Sequence, residues 1–145
     1  MREVRRSALL PYTAGQIFGL VTDVERYPEF LPWCTGARIV VDQGEYVTVS
    51  LGLKRGVIRS SFTTRNRLVP ERSVEMRLVE GPFSLLEGRW DFSPIEQAGT
   101  RAELRIRFQT RGLISGLALG PAFEDICNQM VDAFGRRAHQ VFRGG

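Results

Sequence analysis

The spacing of apolar residues is helical early in the chain, alternates from Ala37 onwards, and returns to helical near the end. Val4 to Leu10 reads as a strand closed by Pro11, and Thr13 followed three residues later by Gln16 is the pattern of a capping box opening a helix. Ile17, Leu20, Val21 and Val24 then fall on one helical face. Pro28 and Pro32 interrupt it, leaving at most a short second helical turn between them. After Ala37, Val47, Val49, Leu51 and Leu53 alternate with polar or small residues, and Gly56 marks a turn. The next strand sets Ile58, Phe62 and Leu68 against Arg59, Thr63, Arg65 and Arg67, and Pro70 closes it. Val74, Met76 and Leu78 form a fourth strand ended by Gly81-Pro82, and Leu86, Trp90 and Phe92 a fifth. Beyond Gly99-Thr100, Ala102, Leu104, Ile106 and Phe108 alternate with Arg101, Glu103, Arg105 and Arg107, the clearest strand in the chain. Consecutive strands that are half apolar and half charged predict an antiparallel sheet with one wet face.

From Phe123 the stripe Ile126, Cys127, Met130, Val131, Phe134, Ala138 and Val141 predicts a long amphipathic helix that covers the dry face of the sheet. Before it, residues 112–121 are apolar yet rich in Gly and Pro. They read either as the kinked start of that helix or as a mobile gate over a cavity. The order of elements predicts an α+β helix-grip fold, a curved antiparallel sheet wrapped around the C-terminal helix with two short helices after the first strand. Between sheet and helix lies a gap that side chains either fill, as core, or merely line, as a ligand tunnel.

With 145 residues the chain is expected to form one domain, 1–145. Its Arg-rich start is followed by too short an apolar run for a secretory signal, and no stretch suggests a membrane span, so the expected location is cytoplasmic. Cys34 and Cys127 are then expected to be reduced and buried. The formal charge of +4 is almost all arginine, Lys54 being the single lysine. Codon usage in a GC-rich genome accounts for such a skew; an arginine face that meets phosphate oxygens is the functional reading.

The inventory of reactive groups is thin. His139 stands alone, which argues against a His-based metal site or a Ser-His-Asp triad. The cysteines lack CxxC spacing, and Leu51-Gly52-Leu53-Lys54-Arg55-Gly56 lacks the spacing and hydroxyl of a phosphate loop. Asp23, at the end of the first helix, is expected to be a structural hydrogen-bond acceptor. Aromatic residues are the stronger signal. Most of them suit a plain core, while their arrangement around a sheet-to-helix gap, with the Trp33 indole N–H near its lip, suits a pocket.

These residues also carry a family resemblance. Asp23-Val24-x-x-Tyr27-Pro28-x-Phe30-Leu31-Pro32-Trp33-Cys34, Phe62-Thr63-Thr64-Arg65-Asn66, Gly81-Pro82-Phe83 with Gly88-x-Trp90-x-Phe92, and Asn128-x-Met130-Val131-x-Ala133-Phe134 resemble the coenzyme Q-binding START-like family, within the polyketide cyclase/dehydrase and lipid transport superfamily. The chain is most similar to the bacterial ribosome association toxin A branch. The resemblance implies a non-enzymatic carrier that binds ubiquinone or another polyprenyl lipid, in support of respiration or quinone synthesis. Phe30, Leu31, Trp33, Phe62, Phe83, Trp90, Phe108 and Met130 would contact it, with Trp33 or Asn66 as donors to the quinone carbonyls. Beyond that bound quinone or lipid, no cofactor and no metal is expected, and membrane contact would be transient. The alternative it implies is a toxin that binds the large ribosomal subunit and blocks subunit joining. For that reading Arg65, Arg67, Arg105 and Arg107 are the candidate RNA-binding residues, with Arg77 and Arg89 on the same face. Nearby Glu75, Glu87, Asp91 and Glu103 offer them ion pairs instead. An aromatase or cyclase activity would rest on fold analogy alone, with no acid-base pair in view.

Overall fold

Thr13 opens the first helix as its spacing predicts. Its hydroxyl accepts from the Gln16 N–H at 3.1 Å while the Gln16 side chain accepts from the Thr13 N–H at 2.9 Å. The computed structural model describes residues 1–143, with the side chains of 113–118 outside the description. Strand β1 (Arg2–Leu10) leads into α1 (Ala14–Thr22) and a 3₁₀ turn (Val24–Glu29). Six strands follow, β2 (Cys34–Asp42), β3 (Tyr46–Arg55), β4 (Ile58–Val69), β5 (Ser73–Glu80), β6 (Phe83–Ile95) and β7 (Gly99–Thr110), and then helix α2 (Leu113–Phe142). The strands form one antiparallel sheet in the order β1-β7-β6-β5-β4-β3-β2. Register shifts between Cys34 and Gly36, Ile39 and Val41, Thr63 and Thr64, and Phe83 and Leu85 interrupt the ladders. Such irregularities bend strands and increase their twist, which curves the sheet around α2.

Inward-facing positions of the strands meet the apolar stripe of α2 to form the core. Phe83, Trp90, Leu104, Phe108, Ile126, Phe134 and Ala138 are each at most 2% exposed. Among the described residues no helix is long and apolar enough to cross a membrane.

Three local expectations change. Strand β2 escapes a search for alternation because it is a sheet edge whose Ile39, Val40 and Val41 are all exposed, so no buried face imposes period two. The second short helix lies at Val24–Glu29 and contains Pro28, rather than sitting between the two prolines. The hydrogen bonds that flank it run from Arg26 N to Asp23 O and from Phe30 N and Leu31 N to Tyr27 O, and none of them calls on the N–H that Pro28 lacks. The Asp23 carboxylate pairs with Arg26 Nε at 3.2 Å and makes no side-chain cap hydrogen bond. The backbone from Leu113 is helical, as the kinked-start reading of 112–121 has it; the gate reading of that segment turns in part on the side chains of 113–118, which lie outside the described residues.

Candidate functional site

The turn after α1 builds one wall of the sheet-to-helix gap. Buried Tyr27 donates its hydroxyl proton to the Val21 carbonyl, which holds the turn against the end of α1. Leu31 N bonds Tyr27 O at 2.9 Å, Cys34 N bonds Leu31 O at 2.9 Å, and Lys54 N bonds Trp33 O at 2.8 Å. The segment with two prolines is thereby stitched to β3. On its other side, Tyr27 and Phe30 pack edge-on against Phe134 of α2 at 5.4 and 5.1 Å, and Arg137 lies over the Phe30 ring while reaching Glu29 at 2.8 Å.

Clamped from both sides, the gap is nearly filled, and the cavity that remains measures about 70 Å³. Trp33, Phe62, Trp90 and Met130 line it, together with Val24, Tyr27, Thr64, Asn66, Met76, Cys127 and neighbouring apolar residues. Phe30, Leu31, Phe83 and Phe108 are not on its wall. Phe83 and Phe108 pack with Phe123 in the core, Leu31 is buried beneath the turn, and Phe30 lies between Phe134 and Arg137. Among the polar groups on the cavity wall is a buried pair on β4, where the Thr64 hydroxyl donates to Asn66 Oδ1 at 2.8 Å. Thr64 lines the cavity although apolar alternation does not mark an inward threonine. The run Phe62-Thr63-Thr64-Arg65-Asn66 shows it once Phe62 is known to point inward. Among the described residues no fully buried side-chain nitrogen or oxygen lacks a partner.

Titration of the buried groups follows from desolvation. Burial raises the Tyr27 phenol, and the neighbouring Cys34 and Asp23 push the same way. Burial likewise raises the Cys127 thiol, helped by Glu124, and raises Cys34. All three stay protonated at neutral pH, which leaves the free thiols poor nucleophiles. The folded state thus holds protons that the unfolded chain releases near the ordinary values of 9.0 for the thiols and 10.0 for the phenol. Their contribution to stability is complete below those values and is lost as pH rises through and above them. Urea midpoints between pH 7 and pH 11 are expected to hold steady up to about pH 9 and then fall. A midpoint unchanged to pH 11 would contradict the burial argument.

The outer face of the sheet is the second candidate. Arg67, Arg105 and Arg107 project there as expected, but each is engaged. Arg67 meets Glu45 at 3.0 Å, Arg105 meets Glu103 at 3.3 Å, and Arg107 meets Glu87 at 3.0 Å. Arg89 pairs with Glu75 and with Asp91, and Arg5 with Glu103 at 3.3 Å. These carboxylates neutralise rows in which arginines stand directly opposite one another, Arg5 against Arg105 and Arg105 against Arg89. Arg65 differs, lying over the Tyr46 ring at 4.1 Å with no carboxylate partner among the described residues. His139 is exposed, and its Nδ1 lies 2.9 Å from the Tyr12 hydroxyl. Among the described residues no group of three or more His, Cys, Asp or Glu side chains is placed to hold a metal ion.

Residues 10–135 match the family described as polyketide cyclase / dehydrase and lipid transport. The chain belongs to that family. Within it, the chain is 42% identical over 142 residues to the ribosome association toxin RatA of Vibrio cholerae, covering 98% of this chain and 99% of that one. It is 40% identical over 142 residues to RatA of Escherichia coli, covering 98% and 90%. A solved aromatase/cyclase, Zhui of a Streptomyces species, superposes with a TM-score of 0.86 at 20% identity over 99% of this chain and 96% of that one. At that identity the likeness shows the shared START-like, helix-grip fold. The expectation of a ubiquinone carrier is corrected by these relatives. The coenzyme Q-binding protein COQ10 homolog B of Xenopus laevis matches at only 22% identity, over 59% of its own length. The cavity points the same way, since about 70 Å³ is far below the roughly 300–1,000 Å³ of a typical ligand pocket.

Proposed function

We propose that this protein is a ribosome-associating toxin that acts in the cytoplasm as one domain, residues 1–145, by binding rather than by catalysis. The observation that carries the reading is the identity of 40–42% with proteins named for ribosome association, over essentially the whole chain. The partner implied by the family resemblance is the large ribosomal subunit. The chemistry of the cavity is consistent with binding alone. Its lining residues carry the Tyr27 phenol, the Thr64–Asn66 pair, the Cys127 thiol and the Trp33 and Trp90 indoles, and burial keeps both Tyr27 and Cys127 protonated. None is a ready base. The description of the family as including lipid transport supports a hydrophobic occupant of the cavity; Trp33, Phe62, Trp90 and Met130 would meet it, and the volume admits only a small one.

Sucrose-gradient sedimentation of the purified protein with large ribosomal subunits tests the main reading. Co-migration at low salt, loss of binding as salt rises, and fewer joined ribosomes when small subunits are added are the expected results. Absence of co-migration at low salt would remove the reading.

A further inference from the structure

Ion pairs divide the outer face of the sheet into two unequal halves. On the β1, β7 and β6 side, Arg5, Arg89, Arg105 and Arg107 are each tied to a carboxylate, and among the described residues Arg101 near the start of β7 is the exception. On the β2 to β5 side, Arg38, Lys54, Arg59, Arg65 and Arg77 are exposed, and among the described residues none has a carboxylate within 4.0 Å. Lys54 stands directly opposite Arg59 in the β3–β4 ladder, and Arg65 directly opposite Arg77 in the β4–β5 ladder. Like charges directly opposite destabilise a sheet. Elsewhere on this face diagonal carboxylates relieve that repulsion. Here Glu45 and Glu75 are held by Arg67, and Glu87, which stands directly opposite both Arg77 and Arg107, closes its ion pair with Arg107, leaving Glu80 as the nearby acid without an ion pair among the described residues.

Between the two cationic pairs the same face carries hydroxyls, since Thr48, Ser50, Ser61 and Thr63 share the orientation of Lys54, Arg59 and Arg65 in the register. Arginine and lysine interleaved with hydroxyls are the donors that nucleic-acid-binding proteins direct at phosphate and sugar oxygens. From Arg59 to Arg65 is six residues along β4, about 20 Å, enough to follow several successive phosphates. Arg65, held over Tyr46, presents its guanidinium already partly ordered.

We propose that the outer face of β3, β4 and β5, centred on the pairs Lys54/Arg59 and Arg65/Arg77, is the surface that docks the phosphodiester backbone of ribosomal RNA. This rests on the ribosome-association reading and assigns it a face. Arg67, Arg105 and Arg107 then serve the sheet's own charge balance rather than the partner.

The test compares two fourfold variants of equal charge change, Lys54→Gln/Arg59→Gln/Arg65→Gln/Arg77→Gln and Arg5→Gln/Arg89→Gln/Arg105→Gln/Arg107→Gln. Circular dichroism and urea midpoints check that both are folded. Binding to purified large subunits, to protein-free ribosomal RNA and to phosphatidylglycerol vesicles is measured as a function of salt. The first variant is expected to lose about tenfold or more in affinity for subunits and RNA, with a salt slope shallower by about 3 to 4, whereas the second loses much less. Equal losses in the two variants, or no loss in the first, overturn the assignment. Wild-type binding to RNA but not to subunits, with the same contrast between variants, removes the ribosome reading and leaves the RNA-docking face standing. Wild-type binding to neither, or to vesicles alone, overturns both.

Discussion

Replacing Phe134 with alanine is expected to lower the free energy of unfolding by about 3–5 kcal/mol. Phe134 is 1% exposed and is the side chain through which α2 meets both the turn and β6. Tyr27 and Phe30 of the turn reach it from one side, and Trp90 of β6 packs edge-on at 5.4 Å from the other. Truncation removes the transfer energy of the ring and leaves a void that the prolines of the turn and the ladder of β6 resist closing. The void adjoins the existing cavity, whose wall includes Tyr27 and Trp90. Urea denaturation measures the loss, and tryptophan emission should shift to the red as the Trp90 environment loosens. Phe134→Leu should cost much less because it keeps most of the apolar volume. A loss below about 1 kcal/mol for Phe134→Ala would show that the turn is not fastened to α2 through this ring.

Gly99→Ala is expected to cost on the order of 4 kcal/mol or more, or to prevent folding. The backbone there has φ +119°, where L residues are strained by about 1–3 kcal/mol. Space is the harder limit. A Cβ at Gly99 would sit 2.0 Å from the Leu10 carbonyl oxygen and 2.8 Å from Pro11 Cα, both backbone atoms that cannot swing aside. This is the junction at which β1 leaves the sheet for α1, and the next residue pins it, since buried Thr100 donates its hydroxyl to the Tyr12 carbonyl at 2.7 Å. Thr100→Val provides a milder probe that should fold. Losing that bond while leaving the Tyr12 carbonyl without its Thr100 donor should cost about 1–3 kcal/mol. Thermal or urea unfolding reads both variants, and a Gly99→Ala protein within about 1 kcal/mol of wild type would refute the close approach.

The two variants differ in how visible their sites are from the primary structure. Phe134 lies on an apolar stripe of 3.6 period and is an evident core residue, because each turn of a long amphipathic helix repeats the same instruction. Gly99 reads only as a turn before a strand. Its contact with Leu10 joins residues almost ninety positions apart, and no local pattern encodes that meeting. Strand β2 is hidden from the pattern for a related reason, as an exposed edge needs no buried face and so shows no alternation. The candidate sites divide likewise. Trp33, Phe62, Trp90 and Met130 were legible as inward residues and do line the cavity, but Phe30, Leu31, Phe83 and Phe108 have the same character and pack elsewhere.

Periodicity, caps and turn residues are local, and they sufficed for the strands of the meander, the capped first helix, the amphipathic last helix and hence the helix-grip order. The motif around Tyr27, Pro28 and Trp33, with its companions further along, pointed to the family. Only the tertiary structure decided how full the gap is, because a volume of about 70 Å³ is the small remainder between large side chains contributed by the turn, the sheet and α2. It also decided which arginines are available. Arg65, Arg67, Arg77, Arg89, Arg105 and Arg107 alternate outward identically in the strands, and whether each meets a carboxylate depends on the side chains around it, so that Glu87, opposite both Arg77 and Arg107, pairs with Arg107 while Arg65 faces Arg77.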